Sequence, residues 1–383
     1  MSNAAAEPFA WTPTAEQIAR SRLHHFISSL GLDSLDALQQ LARDDPERFW
    51  AATVDDIGIE WSHRFSRVLD TDAGLPWTRF WIDGRLNLST LAAGRWAART
   101  PEKPAVVWEG DDGDTRSWSY AELDSEVRRA AHALHSLGVQ AGDAVGLCMP
   151  MVPETVALFV ACAHLGAMVA PLFSGYGAGA IASRLNDCDA KVLCITDGFL
   201  RRGSQVDLKA TADAAVAQCP GVQHVLVVQR TGGDVIMHSP RDRWYHELIA
   251  EAAATEVADT AADTPFMIIY TSGTTGTPKG TLHVHGGFPV KATQDMVHCF
   301  DVGPDDRLLW FTDIGWMMGP WAICGALIIG ATLVLYEGTP DHPGADRLWS
   351  VVERHEVTVL GVAPTVVRAL MRHGDAPVAQ HDL

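Results

Sequence analysis

Short apolar runs that alternate with helical segments predict an α/β protein built on parallel sheets. Two observations carry this. The apolar runs at 144–149, 167–173 and 191–196 are each separated by a stretch of helical character. Parallel strands need such crossovers, because the chain must return to the same end of the sheet before it pairs again. A second unit of the same kind begins at 266–270 and runs to the last residue.

Taken in order, residues 1–95 lean helical, with scattered tryptophans and no catalytic pattern. Residues 105–109 and 115–118 flank Gly-Asp-Asp-Gly-Asp, a hairpin signal. Ser119 and Glu122 are spaced as a capping box. The helix that follows sets Leu123, Val127, Ala130, Leu134 and Leu137 on one face, and Gly138 ends it. A helix after Pro153 reaches Ala163, and residues 223–229 add a strand. Residues 252–264, rich in Ala, Thr and Asp, read as a surface connection. The expected organisation is a helix-rich extension (1–95), a first α/β subdomain (96–260) and a second (261–383). Residues 315–336 carry no charge and are long enough to span a bilayer. Gly319-Pro320 and the turn at Gly330 divide them, so a buried helix followed by a buried strand is expected.

Composition narrows the function. Apolar residues make up 47% of the 383, enough for a large core. Lys+Arg 29 against Asp+Glu 47 gives a net charge of -18, which argues against nucleic acid or an anionic membrane as partner. An anionic ligand needs local help from backbone N–H groups, a metal or a few arginines. Seven cysteines without CxxC spacing argue against a disulfide framework or a zinc site and for a reducing, cytoplasmic setting. The first residues lack a basic start and an apolar core, so no secretory signal is expected. His283 and His285 alternate on a strand, a spacing read as structural side chains with no metal.

The sharpest chemistry lies in YTSGTTGTPKG, residues 270–280. A strand running into glycines, hydroxyls and a lysine suits a polyphosphate: successive N–H groups form an anion-binding nest and the lysine adds charge. The Walker A pattern does not apply, since Lys279 follows Pro278. Residues 281–285 read as a second strand, so no helix N-terminus follows at once and the loop must close over its ligand as a flap. From composition alone, a surface hairpin without a ligand is the alternative.

The full string resembles the phosphate loop of the adenylate-forming superfamily, [ST]-S-G-[ST]-T-G-x-P-K-G. The resemblance runs from about residue 96 to the end. It includes MPMVPETVALFVACAHLGA (149–167), TDIGWMMGPW (312–321) and VTVLGVAPTVVRALM (357–371), which are similar to the acetyl-CoA synthetase branch. It implies the stacked parallel-sheet βαβ layers of that superfamily's large domain. It also implies that Thr271, Ser272, Gly273, Thr274, Thr275, Gly276 and Lys279 grip the β- and γ-phosphates of ATP. A carboxylate would attack the α-phosphorus, and Mg²⁺ and the N–H groups would share the charge of the departing pyrophosphate.

For CoA, the branch's Phe-Gly-Gly-Phe turn corresponds to Phe173-Ser174-Gly175-Tyr176, implying roles for Phe173 and Gly175. Arg201 matches the first arginine of the branch's Arg-x-Gly-Arg, whereas Ser204 holds the second place and Arg202 stands in as substitute. Asp341 sits where the branch often has an asparagine near CoA. Trp316, Met317 and Met318 correspond to the acyl and pantetheine tunnel, and the methionines suggest a hydrophobic acyl group larger than acetate. The alternatives are a solvated arginine pair and methionines of the core.

The branch's adenine and ribose segment, its Mg²⁺-binding glutamate and the adenylation lysine of its C-terminal small domain have no matching motif in these residues. An incomplete large domain without a small domain is therefore expected, inactive alone and completed by a missing portion or a complementary chain. Three readings compete: the N-terminal part of an ATP-dependent acyl-CoA synthetase, an enzyme that loads a carrier protein, and a non-catalytic nucleotide- or CoA-binding module.

Overall fold

The computed structural model describes residues 11–250, 255–271 and 278–383. Two sheets form the frame. The larger has seven strands in the order Asp242–Trp244, His224–Val228, Val192–Thr196, Ala144–Cys148, Met168–Pro171, Pro265–Thr271 and Lys279–Val284. All its neighbours are parallel except the last pair, which is the antiparallel ladder flanking the glycine-rich loop. The smaller has five strands in the order Val359–Gly361, Arg307–Trp310, Thr332–Tyr336, Pro104–Glu109 and Thr115–Ser119, again parallel except the last pair.

The sheets cut across the division expected at residue 261. Met267 pairs with Val169, so the strand before the loop extends the sheet built by the preceding segment. The hairpin of 104–119 joins the other sheet, with Val106 beside Leu333. An apolar strand pattern announces a strand but not its neighbour, which long-range packing decides.

Between the sheets lie the helices Tyr120–Ser136, Pro153–His164 and Met318–Ile329. One continuous cluster of buried side chains, from Val106 and Trp108 through Phe159 to Leu333, joins the sheets across them. The first helix starts on its capping box and buries Leu123, Val127, Ala130 and Leu134, as the spacing predicts. The third buries every residue from Gly319 to Ile329 and stops at Gly330, whose φ of 84° is open to glycine at little cost. The uncharged run at 315–336 is therefore a core helix and a core strand, Thr332–Tyr336. Among the described residues no helix is long and apolar enough to cross a membrane.

Outer helices cover the far faces: Ala178–Asp187 and Leu208–Val216 on the larger sheet, Arg347–Arg354 and Pro364–Met371 on the smaller. Four helices between Ala15 and Asp56 make up much of the N-terminal region. A hairpin that the sequence did not announce, Arg67–Asp70 with Arg79–Ile82, follows them. Its Trp81 is a docking group. Trp81 packs against Trp50, Trp61 and Phe65, and its indole N–H donates to the Gly286 carbonyl at 2.6 Å. The stretch expected as a surface connection is partly core. Thr260 and Ala262 are buried, and Ala262 N–H donates to the Gly84 carbonyl at 2.8 Å.

Candidate active site

A cleft of about 670 Å³ opens where the parallel strands of both sheets end. Its larger-sheet wall carries Met151 and Phe173, each just beyond the carboxyl end of a strand, and Arg201 on the hairpin that follows Val192–Thr196. The smaller-sheet wall carries Asp313, Glu337 and Thr365, placed in the same way. Open α/β sheets bind ligands at this end, because the connections leaving parallel strands diverge there. The loop after Pro265–Thr271 leaves the same sheet at the same end.

Thr271 and Lys279 pair across the ladder and are both exposed, so the loop's two ends are held together by backbone. Ser272, Gly273, Thr274, Thr275 and Gly276 lie outside the described residues. Tyr270 braces the ladder: its hydroxyl donates to Asp187 at 2.8 Å, and Arg184 lies over the rings of both Tyr270 and Tyr176.

The turn 173–176 is shaped by its aromatic ring. Phe173 meets Tyr176 edge-on at 5.5 Å and Trp316 at 5.6 Å. A Cβ on Gly175 would stand 2.6 Å from the Phe173 ring, so only glycine lets the ring fold back over the turn. A Cβ on Gly315 would come within 2.0 Å of the Phe173 backbone nitrogen. The glycine thus lets the segment after Trp310 lie directly on the turn.

Asp313 locks that approach. It accepts from Ser174 Oγ at 2.5 Å, from the Ser174 N–H at 3.3 Å and from the Gly315 N–H at 2.9 Å. Burial pushes its carboxyl up to about 6, against the smaller downward pull of those donors. Ser174 and Asp313 each stand inside a motif legible in the sequence, where neither has an expected role. The signal was present: Asp313 is the sole charge in the run from Phe311 to Tyr336.

Arg201 and Arg202 sit at the tip of the hairpin Phe199–Arg201 and Ser204–Val206. Arg202 and Gly203 both have positive φ, 53° and 71°, as a two-residue hairpin turn requires. Glu337 accepts from the Leu200 N–H at 3.2 Å and pairs with Arg230 at 2.7 Å, and Asp111 accepts from the Gly203 N–H at 2.6 Å. Two carboxylates thus clamp the hairpin to the smaller sheet. Arg202 forms an ion pair with Asp341 at 2.7 Å, bringing together three of the predicted CoA residues. Trp316 and Met318 line the cleft. Met317 is 55% exposed and stands outside that lining, so the expected pair of methionines in the wall reduces to one.

His285 is buried, its Nδ1 accepts from the Leu88 N–H, and burial lowers its pKa to about 3. It is a neutral packing group. No cluster of three metal-ligating side chains forms among the described residues.

Two stacked sheets with a shared cleft at their carboxyl ends, one of them carrying a glycine- and hydroxyl-rich hairpin loop, define the large-domain fold of adenylate-forming enzymes. Residues 94–383 match the family described as AMP-binding enzyme, and residues 35–92 match acetyl-coenzyme A synthetase N-terminus. The chain belongs to the AMP-binding enzyme family. It is 40% identical over 346 residues to the acetyl-coenzyme A synthetase of Streptomyces coelicolor, covering 89% of this chain and 53% of the relative. To that of Chlorobaculum tepidum it is 36% identical over 367 residues, 94% and 55%. The solved acetoacetyl-CoA synthetase from Streptomyces lividans superposes with a TM-score of 0.90 at 29% identity, covering 97% of this chain and 58% of that one. The chain thus spans about half the length of the curated relatives it matches.

Proposed function

We propose that this chain supplies the pyrophosphate grip and the CoA-side wall of an AMP-forming acid–CoA ligase. The observation that carries the reading is the meeting of Phe173, Arg201, Trp316 and Met318 in one cleft beside the strand that leads into the phosphate loop. The names of the relatives support it.

In the first half-reaction a carboxylate oxygen attacks the α-phosphorus of ATP and pyrophosphate departs. Thr271, Lys279 and the residues between them hold the β- and γ-phosphates, and Lys279 offsets the charge that builds on the leaving group. A Mg²⁺ ion bound to the nucleotide would share that charge. The acyl group lies beside Trp316 and Met318. In the second half-reaction the CoA thiol attacks the acyl carbonyl and AMP departs. The Phe173 ring and the close-lying backbone at Gly175 guide the CoA chain towards that carbon, with Arg201 at the nucleotide end.

A free-CoA acceptor is favoured over a carrier protein because the arginine-bearing hairpin is clamped onto the cleft, where a phosphorylated nucleotide can reach it. The test joins this chain to the remaining portion of the Streptomyces coelicolor relative and assays thioester formation from MgATP and a panel of short to medium carboxylates. CoA should be the better acceptor, with pantetheine at least about tenfold poorer in kcat/KM. Equal use of CoA and pantetheine would remove the nucleotide wall from the account.

A further inference from the structure

A second pocket of about 230 Å³ adjoins the cleft, sharing Arg201, Phe311 and Thr365 with it. Three arginines line it, Arg201, Arg202 and Arg372. In a chain of net charge -18 this is a local reversal of sign. The three are not equivalent. Arg202 is 2.7 Å from Asp341, whose side chain is nearly buried and also has His373 Nε2 at 4.0 Å. Its charge is therefore committed. Arg372 caps the end of the helix Pro364–Met371 and donates through Nε to the Ala369 carbonyl at 3.1 Å. Its two terminal nitrogens have no hydrogen-bond partner among the described residues.

We propose that Arg201 and Arg372 together hold a phosphate monoester in this pocket, and that Arg202 serves as wall through Asp341. Two guanidinium forks match a phosphate dianion in charge and in donor geometry. The ligand is the ribose phosphate of CoA, so the proposal rests on the reading above. It assigns Arg372 the charged phosphate contact that Ser204 cannot supply and that the adjacent Arg202 was expected to take over.

Calorimetric titration of the 383-residue chain with CoA and with dephospho-CoA tests this. CoA should bind about tenfold more tightly or better. Arg372→Ala should abolish most of that ratio and leave dephospho-CoA within about twofold of wild type, whereas Arg372→Lys should recover part of it. Arg368→Ala, one turn earlier on the same helix and outside both pockets, should keep the ratio. A ratio that survives in Arg372→Ala overturns the assignment of Arg372 and leaves the CoA reading standing. A wild-type chain that binds the two ligands equally, or binds neither, overturns the CoA reading and this proposal with it.

Discussion

Asp313 shows how one carboxylate can hold two walls together and pay for it in solvation. Its acceptors are filled by Ser174 on one wall and Gly315 on the other. Burial raises its pKa to about 6, compared with about 4 for a solvated aspartate. The folded state therefore binds this proton more tightly than the unfolded state does. Ionised Asp313 costs stability above pH 6, and that cost fades as the pH falls from 6 to 4. Asp313→Asn removes the charge. Relative to wild type, its stability should improve by up to about 2–3 kcal/mol between pH 4 and pH 7. Urea unfolding of both proteins across that range measures the difference. A difference that does not change with pH would show that burial does not burden this carboxylate. The residue was visible in the sequence, but its task was not. A lone acid in an uncharged run gives no hint that Ser174, which donates to it twice, lies 139 positions away.

Local elements were the most legible part of this chain. Gly-Asp-Asp-Gly-Asp marked the hairpin of 104–119, Ser119 and Glu122 marked a helix start, and Gly330 marked a helix end. Each is a short-range signal with its own backbone chemistry. The arginine hairpin at 199–206 escaped because Arg-Gly replaces the usual Asn-Gly at its turn. What places that hairpin is distant in sequence: Glu337 and Asp111 approach from the smaller sheet. Glu337 is buried with Arg230, which also keeps an ion pair with Asp112 at 3.0 Å. Glu337→Ala should cost about 1–3 kcal/mol and expose the amides of 199–206 to solvent. Hydrogen exchange read by mass spectrometry should show faster labelling there than in Val192–Thr196. Unchanged protection of the hairpin would mean that Asp111 alone positions it.

At the scale of the molecule, the two sheets interleave segments that look consecutive in the sequence. That interleaving directs the carboxyl ends of both sheets into one cleft. The residues with recognisable motifs were legible there: Phe173, Arg201, Trp316 and Met318 all reach the cleft. Met317 did not, because neighbours on a chain need not share a face. Arg372 was missed because it has no motif and acquires meaning only where Pro364–Met371 ends beside Arg201. The residues that would grip the nucleotide's phosphates lie at one end of the ATP that the account requires. Attack in line on the α-phosphorus needs both ends held, and orientation alone can contribute about 7–11 kcal/mol.

Carboxylate-dependent exchange of labelled pyrophosphate into MgATP tests that claim most directly. It is measured on residues 1–383 and on the same chain joined to the remaining portion of the Streptomyces coelicolor relative. The former should give no exchange above background and the latter clear exchange, reduced at least about tenfold by Lys279→Ala. Exchange by residues 1–383 alone, or exchange by the joined chain that is indifferent to Lys279→Ala, would contradict it.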